Sequence, residues 1–105
     1  MSMTFLAMTK KRELVETNRE AILKLAKLYG LERVRLFGSV ARGDEEVGSD
    51  IDLIVSRRSG DDPWKVLDFE DEVKKLLQCE IDILIEHSHM RESLRREIFR
   101  DAVPV

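Results

Sequence analysis

One cysteine, two prolines and two histidines are all that 105 residues contain of those types, and each scarcity closes off a class of protein. The lone Cys79 has no internal disulfide partner, so the chain is not a disulfide-stapled scaffold, and a reducing cytoplasm is the expected compartment. No apolar run is long enough to cross a bilayer. Met1 to Met8 lacks the charged start and cleavage site of a signal peptide, and residues 1–9 are expected to fray. Basic excess is missing as well. The 18 Lys and Arg residues stand against 21 Asp and Glu, a net charge of −3, so direct nucleic-acid binding is not expected. With 43% apolar and 37% charged residues the composition argues against disorder. The length suits a single domain over residues 1–105, and the chain shows no repeat, linker or low-complexity segment.

What is present concentrates between Leu36 and Val55, in the stretch LFGSVARGDEEVGSDIDLIV. Val34 to Phe37 reads as the end of a strand over Glu32–Phe37. Gly38 stops it and lets a ligand approach the main chain closely. Ser39 then suits the N-cap of a short helix through Val40 and Ala41, and Gly43 its left-handed end. Such a turn points N–H groups and a hydroxyl outward, which suits a phosphate. A second strand follows over Ser49–Val55. Ile51, Leu53 and Val55 take one face; Asp50, Asp52 and Ile54 take the other. Two carboxylates about 6–7 Å apart on one face repel unless divalent cations sit between them. Mg²⁺ favours one or two carboxylates together with phosphate oxygens and water. Either half alone is weak, since most Gly-Ser pairs are turns and most Asp-x-Asp pairs are solvated strand ends; together they point to phosphoryl chemistry.

Gly38-Ser39-Val40-Ala41-Arg42-Gly43 followed by Ser49-Asp50-Ile51-Asp52-Leu53 resembles the signature of the DNA polymerase β-type nucleotidyltransferases, in particular the small single-domain, minimal (MNT-type) members. The resemblance implies an α/β (α+β) nucleotidyltransferase fold: a small mixed sheet of about three strands with flanking helices. It also implies a third carboxylate on the following strand. Asp82, between Ile81 and Ile83, fits that place, with Glu80 on the same face as the alternative.

The remaining segments read as scaffolding. A helix is expected from Lys10 to Tyr29, with Leu14, Asn18, Ala21, Ile22, Leu25, Leu28 and Tyr29 on its apolar stripe, Lys11, Arg12, Glu16, Glu20, Lys24 and Lys27 solvated, and Gly30 as C-cap. Asp44, Glu45 and Glu46 read as a solvated acidic loop. Pro63 opens a helix to Leu77, capped by Asp61 or Asp62, on which Trp64 reads as a core or interface anchor. The third strand is expected over Cys79–Ile85, with Cys79 a small buried residue. His87 and His89, without a further ligand, are assigned to a loop and not to a metal. A last helix starts near Met90, with Leu94, Ile98 and Ala102 inward, Arg91, Arg95, Arg96 and Arg100 outward, and Pro104 closing it.

The family resemblance implies Mg²⁺-dependent transfer of a nucleoside monophosphate to a hydroxyl. Asp50 and Asp52, completed by Asp82, would hold two Mg²⁺ ions, and Asp82 would take the acceptor proton. Gly38 and Ser39 would hold the β- and γ-phosphates; Arg42 either adds charge there or pairs with a nearby acid. A chain this short has no visible acceptor platform. The resemblance supplies a partner: MNT-type proteins accompany HEPN-type RNase toxins as antitoxins, in some cases by attaching AMP from ATP to a toxin tyrosine. The alternative is neutralisation by binding alone. Transfer to a small molecule ranks below both, and a haloacid-dehalogenase phosphatase is disfavoured because it has no use for the glycine-serine turn.

Overall fold

Leu36, Ile51, Leu53 and Val55 are almost completely shielded from solvent, and the sheet that carries them is built around that apolar face. The structure, a computed structural model, describes residues 10–44, 48–58 and 62–105. Its elements run α1 (Lys10–Thr17), α2 (Arg19–Leu28), β1 (Leu31–Phe37), α3 (Gly38–Arg42), β2 (Ile51–Arg57), α4 (Lys65–Leu77), β3 (Ile81–Glu86), α5 (Glu92–Asp101) and β4 (Val103–Pro104). The strand order is β3-β2-β1-β4. β1 pairs antiparallel with β2 and β4, whereas β2 and β3 run parallel, the crossover between them being α4. On one face Ile22, Ala26, Phe69, Val73 and Leu77 of α2 and α4 join the strand residues in the main core.

Several boundaries differ from the sequence expectation for local reasons. The Lys10–Tyr29 helix is interrupted at Asn18, whose side-chain Nδ2 donates to the Leu14 carbonyl at 2.9 Å and competes with the backbone ladder. Its buried stripe runs through Val15, Ile22 and Ala26, while Leu28, assigned to the stripe, is 68% exposed. β1 carries a bulge: the register slips between Glu32 and Arg35, and Arg33 takes a positive φ of 53°. β2 and β3 each begin two residues later than expected and run further, to Arg57 and Glu86. Pro63 and Trp64 form a turn ahead of α4, with the Trp64 N–H donating to Asp62 Oδ1 at 2.9 Å; Asp61 lies outside the described residues, as do residues 1–9, Glu45 and Glu46. Trp64 is 71% exposed, so it is no core anchor. A fourth strand adds to the about three expected. Pro104 ends the helical potential, and Val103 before it is pressed toward extended backbone, so the two residues pair with Leu36 and Arg35. Among the described residues no helix is long and apolar enough to cross a membrane.

The other face of the sheet is organised in rows by the strand register. Phe37, Asp52 and Asp82 are one row; Arg35, Ile54 and Leu84 are the next; Ser56 and Glu86 the third. α5 packs over the last two rows. Arg95, assigned to its solvated side, in fact turns inward: its Nη1 donates to Glu86 Oε2 at 2.7 Å and its Nη2 to the His87 carbonyl at 3.0 Å. Arg35 lies 5.0 Å over the Phe99 ring and 3.6 Å from Glu86 Oε1. The Arg95 hydrogen bond, then that from the Ser56 hydroxyl and the charge of Arg35, hold the Glu86 carboxyl below its usual 4.5. A depressed carboxyl stabilises the fold above its unfolded pKa, and that contribution disappears as pH falls through the folded value. Glu86→Gln is therefore expected to lose about 1 kcal/mol at pH 7, a fall of about 4–8 °C in Tm, with the deficit closing in acid. A deficit equally large at pH 3 would assign the effect to packing instead of charge.

Candidate active site

Two sequence segments form this site, and the sheet brings them together. β1 ends in extended backbone at Phe37, with φ −137° and ψ −177°, and the chain then reverses at Gly38 with φ +75°. Phe37 is the register partner of Asp52, so the turn lies directly against that side chain. A Cβ on Gly38 would sit 3.3 Å from Asp52 Cγ and would collide with its Oδ2. Only glycine allows both the left-handed backbone and this approach. Ser39 is the second residue of α3 and not its cap; Phe37 occupies the cap position, without a side-chain hydrogen bond. The opposite end follows the expectation: Gly43, at φ +80°, closes α3 with its N–H on the Ser39 carbonyl at 2.9 Å. Val40, fully buried, anchors the helix.

The acids come from the neighbouring strands. Asp50 lies exposed just ahead of β2, and the next residue, Ile51, donates its N–H to the Glu80 carbonyl at 3.0 Å. That rung sets the parallel register in which Asp52 faces Asp82 across one strand spacing of about 4.8 Å. Asp52 is half-buried and Asp82 exposed. Burial first, and then the charges of Asp82 and Asp50, push the Asp52 carboxyl above its usual 3.8, while Arg42 pulls the other way. Glu80 goes elsewhere: its side chain is 77% exposed and sits 3.7 Å from Lys74 Nζ. The geometry thus sets Asp52 against Gly38, with Asp82 across from it and Asp50 two residues before it, and leaves Glu80 out.

Arg42 pairs with acids in this structure. Its Nε donates to Asp44 Oδ2 at 3.2 Å and its Nη1 to Asp101 Oδ2 at 3.3 Å, and these bonds raise its own pKa, Asp44 contributing most. The Asp101 contact, 59 positions away in sequence, leaves no trace in the local pattern. Nor do two contacts from α1, where Lys11 Nζ donates to the Ser49 carbonyl and Arg12 Nη1 to the Ala41 carbonyl at 2.6 Å. His87 and His89 are exposed beyond the far end of β3, their rings 6.4 Å apart, with the His89 N–H on His87 Nδ1.

The donor set fits a divalent cation that arrives with a phosphate ligand. Among the described residues no three acidic, histidine or cysteine side chains form a ready-made cage. Asp50, Asp52 and Asp82 are instead three carboxylates whose mutual repulsion registers on Asp52, next to a turn that packs on Asp52 because it has no side chain. All are hard oxygen donors, the type Mg²⁺ takes when phosphate oxygens complete its shell.

Comparison with known proteins places the fold. The family described as polymerase beta, nucleotidyltransferase matches residues 20–105, a span that starts beyond α1. A candidate protein adenylyltransferase of Methanocaldococcus jannaschii is 32% identical over 90 residues, which are 86% of this chain and 95% of that protein. A solved structure described as a candidate minimal nucleotidyltransferase superposes with a TM-score of 0.77 at 35% identity, covering 89% of this chain and 94% of the other. A complex of a tri-AMPylated HEPN toxin from Shewanella oneidensis with an MNT antitoxin shares the fold at a TM-score of 0.62 and 20% identity, covering 85% of this chain and 69% of the other. With residues 20–105 matched, more than two thirds of its length, the chain belongs to the polymerase beta nucleotidyltransferase family.

Proposed function

We propose that this protein transfers AMP from ATP to a hydroxyl group of a partner protein, with Mg²⁺ bound at Asp50, Asp52 and Asp82, and that the partner is a HEPN-type RNase toxin which it neutralises as an antitoxin. The observation that carries the reading is the row Phe37–Asp52–Asp82, with Gly38 packed on Asp52: a glycine turn of the kind that suits phosphate and the carboxylates meet at one end of the sheet. The names of the relatives support the choice of adenylyl group and of a toxin as acceptor.

The site residues divide the work. The Gly38 and Ser39 N–H groups and the Ser39 hydroxyl hold the β- and γ-phosphates. Asp50, Asp52 and Asp82 would hold Mg²⁺, which would offset phosphate charge and orient the triphosphate. The acceptor oxygen forms a bond to the α-phosphorus as the bond to the bridging oxygen breaks and pyrophosphate departs. Asp82, exposed at the rim, receives the acceptor proton. Arg42, held by Asp44 and Asp101, places a positive charge close enough to Asp52 to favour its ionised, metal-binding form.

The test is to incubate the protein with labelled ATP, Mg²⁺ and the protein encoded beside it or co-purified with it. Label on the partner, matched by a mass increase of one AMP on a hydroxyl side chain, is the expected result. A stable complex with no added mass would replace transfer by neutralisation through binding alone.

A further inference from the structure

α1 was expected to turn its basic residues to solvent, yet two of them reach into the site. Lys11 and Arg12 are consecutive, so their side chains leave the helix about 100° apart and reach different targets. Lys11 Nζ donates to the carbonyl of Ser49, the residue immediately before Asp50. Arg12 Nη1 donates to the carbonyl of Ala41, at the end of α3. These two acceptors belong to the two halves of the site.

The need for both contacts follows from the local backbone. α3 has only five residues, and the Gly43 and Asp44 N–H groups bond the Ser39 and Val40 carbonyls at its end. The Ala41 carbonyl takes a guanidinium instead, a charged donor at the negative end of a helix. Asp50 is outside β2, so the strand ladder fixes it only from the Ile51 side. The Lys11 ammonium holds it from the Ser49 side. Both side chains are half-buried, and α1 packs on α2 and α3.

We propose that Lys11 and Arg12 are positioning residues, which together hold the α3 turn and the Asp50–Asp52 stretch at the separation that a metal-bound nucleoside triphosphate requires. The inference rests on the nucleotidyltransferase reading above and extends it to a helix outside the span matched by the family. A group that orients a metal or phosphate ligand through its backbone is worth about tenfold or more in affinity.

The test measures binding of Mn²⁺ with ATP to the full chain by titration calorimetry, with circular dichroism and Tm recorded for each variant. Lys11→Met and Arg12→Met are each expected to weaken binding about tenfold while the spectrum stays native. Lys11→Arg, which keeps a long cationic donor, is expected to restore most of the affinity. Glu16→Gln removes the exposed partner of Arg12, 3.1 Å away, without touching either carbonyl contact, and should bind as the parent does. Should Lys11→Met unfold, Lys11→Arg and Arg12→Met decide: near-parental binding by the first with weakened binding by the second supports the proposal, and equal affinities overturn it. Folded Lys11→Met and Arg12→Met chains with parental affinity would overturn it too, as would an equal loss in Glu16→Gln. If the parent chain itself bound no Mn²⁺ and ATP, the nucleotidyltransferase reading would fall and take this one with it.

Discussion

Asp52→Asn is expected to reduce AMP transfer about a thousandfold or more, the scale on which loss of a charge that stabilises a phosphoryl transition state is felt. The same substitution is expected to raise the Tm of the metal-free chain. Asp52 is half-buried beside two other carboxylates, so its ionised form is penalised in the folded state and its pKa lies above the usual 3.8. The sign follows by linkage. A raised carboxyl favours the fold while it is protonated, and that advantage is lost as pH rises through the folded pKa. The gap in Tm between Asp52→Asn and the parent should be absent near pH 3, open as pH climbs above the ordinary carboxylate range, and stay open at pH 7. Mg²⁺ with ATP should then raise the Tm of the parent but not that of the variant, because only the parent has the charge to neutralise. A variant that is inactive and less stable at pH 7 would place Asp52 in the structure's support and not in its chemistry. Such a site holds its charges together at the expense of the fold.

How far this was legible in the sequence depended on whether the determinant was local. Gly38-Ser39 and Asp50-x-Asp52 are short-range patterns, and the turn, the strand faces and the αL end at Gly43 were all readable from them. Asp82 over Glu80 was readable as a preference; it took the parallel register, fixed by the Ile51–Glu80 rung, to set Asp82 beside Asp52 and leave Glu80 with Lys74. Ser39 was misplaced as a cap because its type suits that position, whereas the backbone at Gly38 starts the helix two residues earlier. The expectations of a solvated Arg95 and of a core position for Trp64 failed in opposite directions for one reason. Helical spacing says which residues share a face, but not what that face meets. Glu86 and Phe99 draw Arg95 inward, and Trp64 stands in a turn where little covers it. The two-residue β4 is too short for any periodicity, and it exists only because β1 presents an edge to it.

The two glycines that bracket α3 allow the turn's role to be separated from its folding. Gly38 and Gly43 both have positive φ, +75° and +80°, so alanine at either is strained by about 1 kcal/mol or more. They differ in what a methyl group meets. At Gly43 nothing lies within 4 Å; at Gly38 the new carbon runs into Asp52. Gly43→Ala should therefore lose about 4–8 °C in Tm and keep its transfer activity. Gly38→Ala should lose a similar or larger amount of stability and, in addition, about a hundredfold in activity. Its Cβ must push the Asp52 carboxylate or the turn out of place, and a displacement of about 1 Å at a reacting centre has that effect. Assayed at a temperature where both variants are fully folded, the pair isolates geometry from stability. Equal activities would mean that Asp52 moves aside without consequence, and that the close fit between turn and carboxylate is a packing feature only. A hundredfold difference at matched folding would show that the close approach of the Gly38 turn to Asp52 sets that carboxylate in place for the reaction.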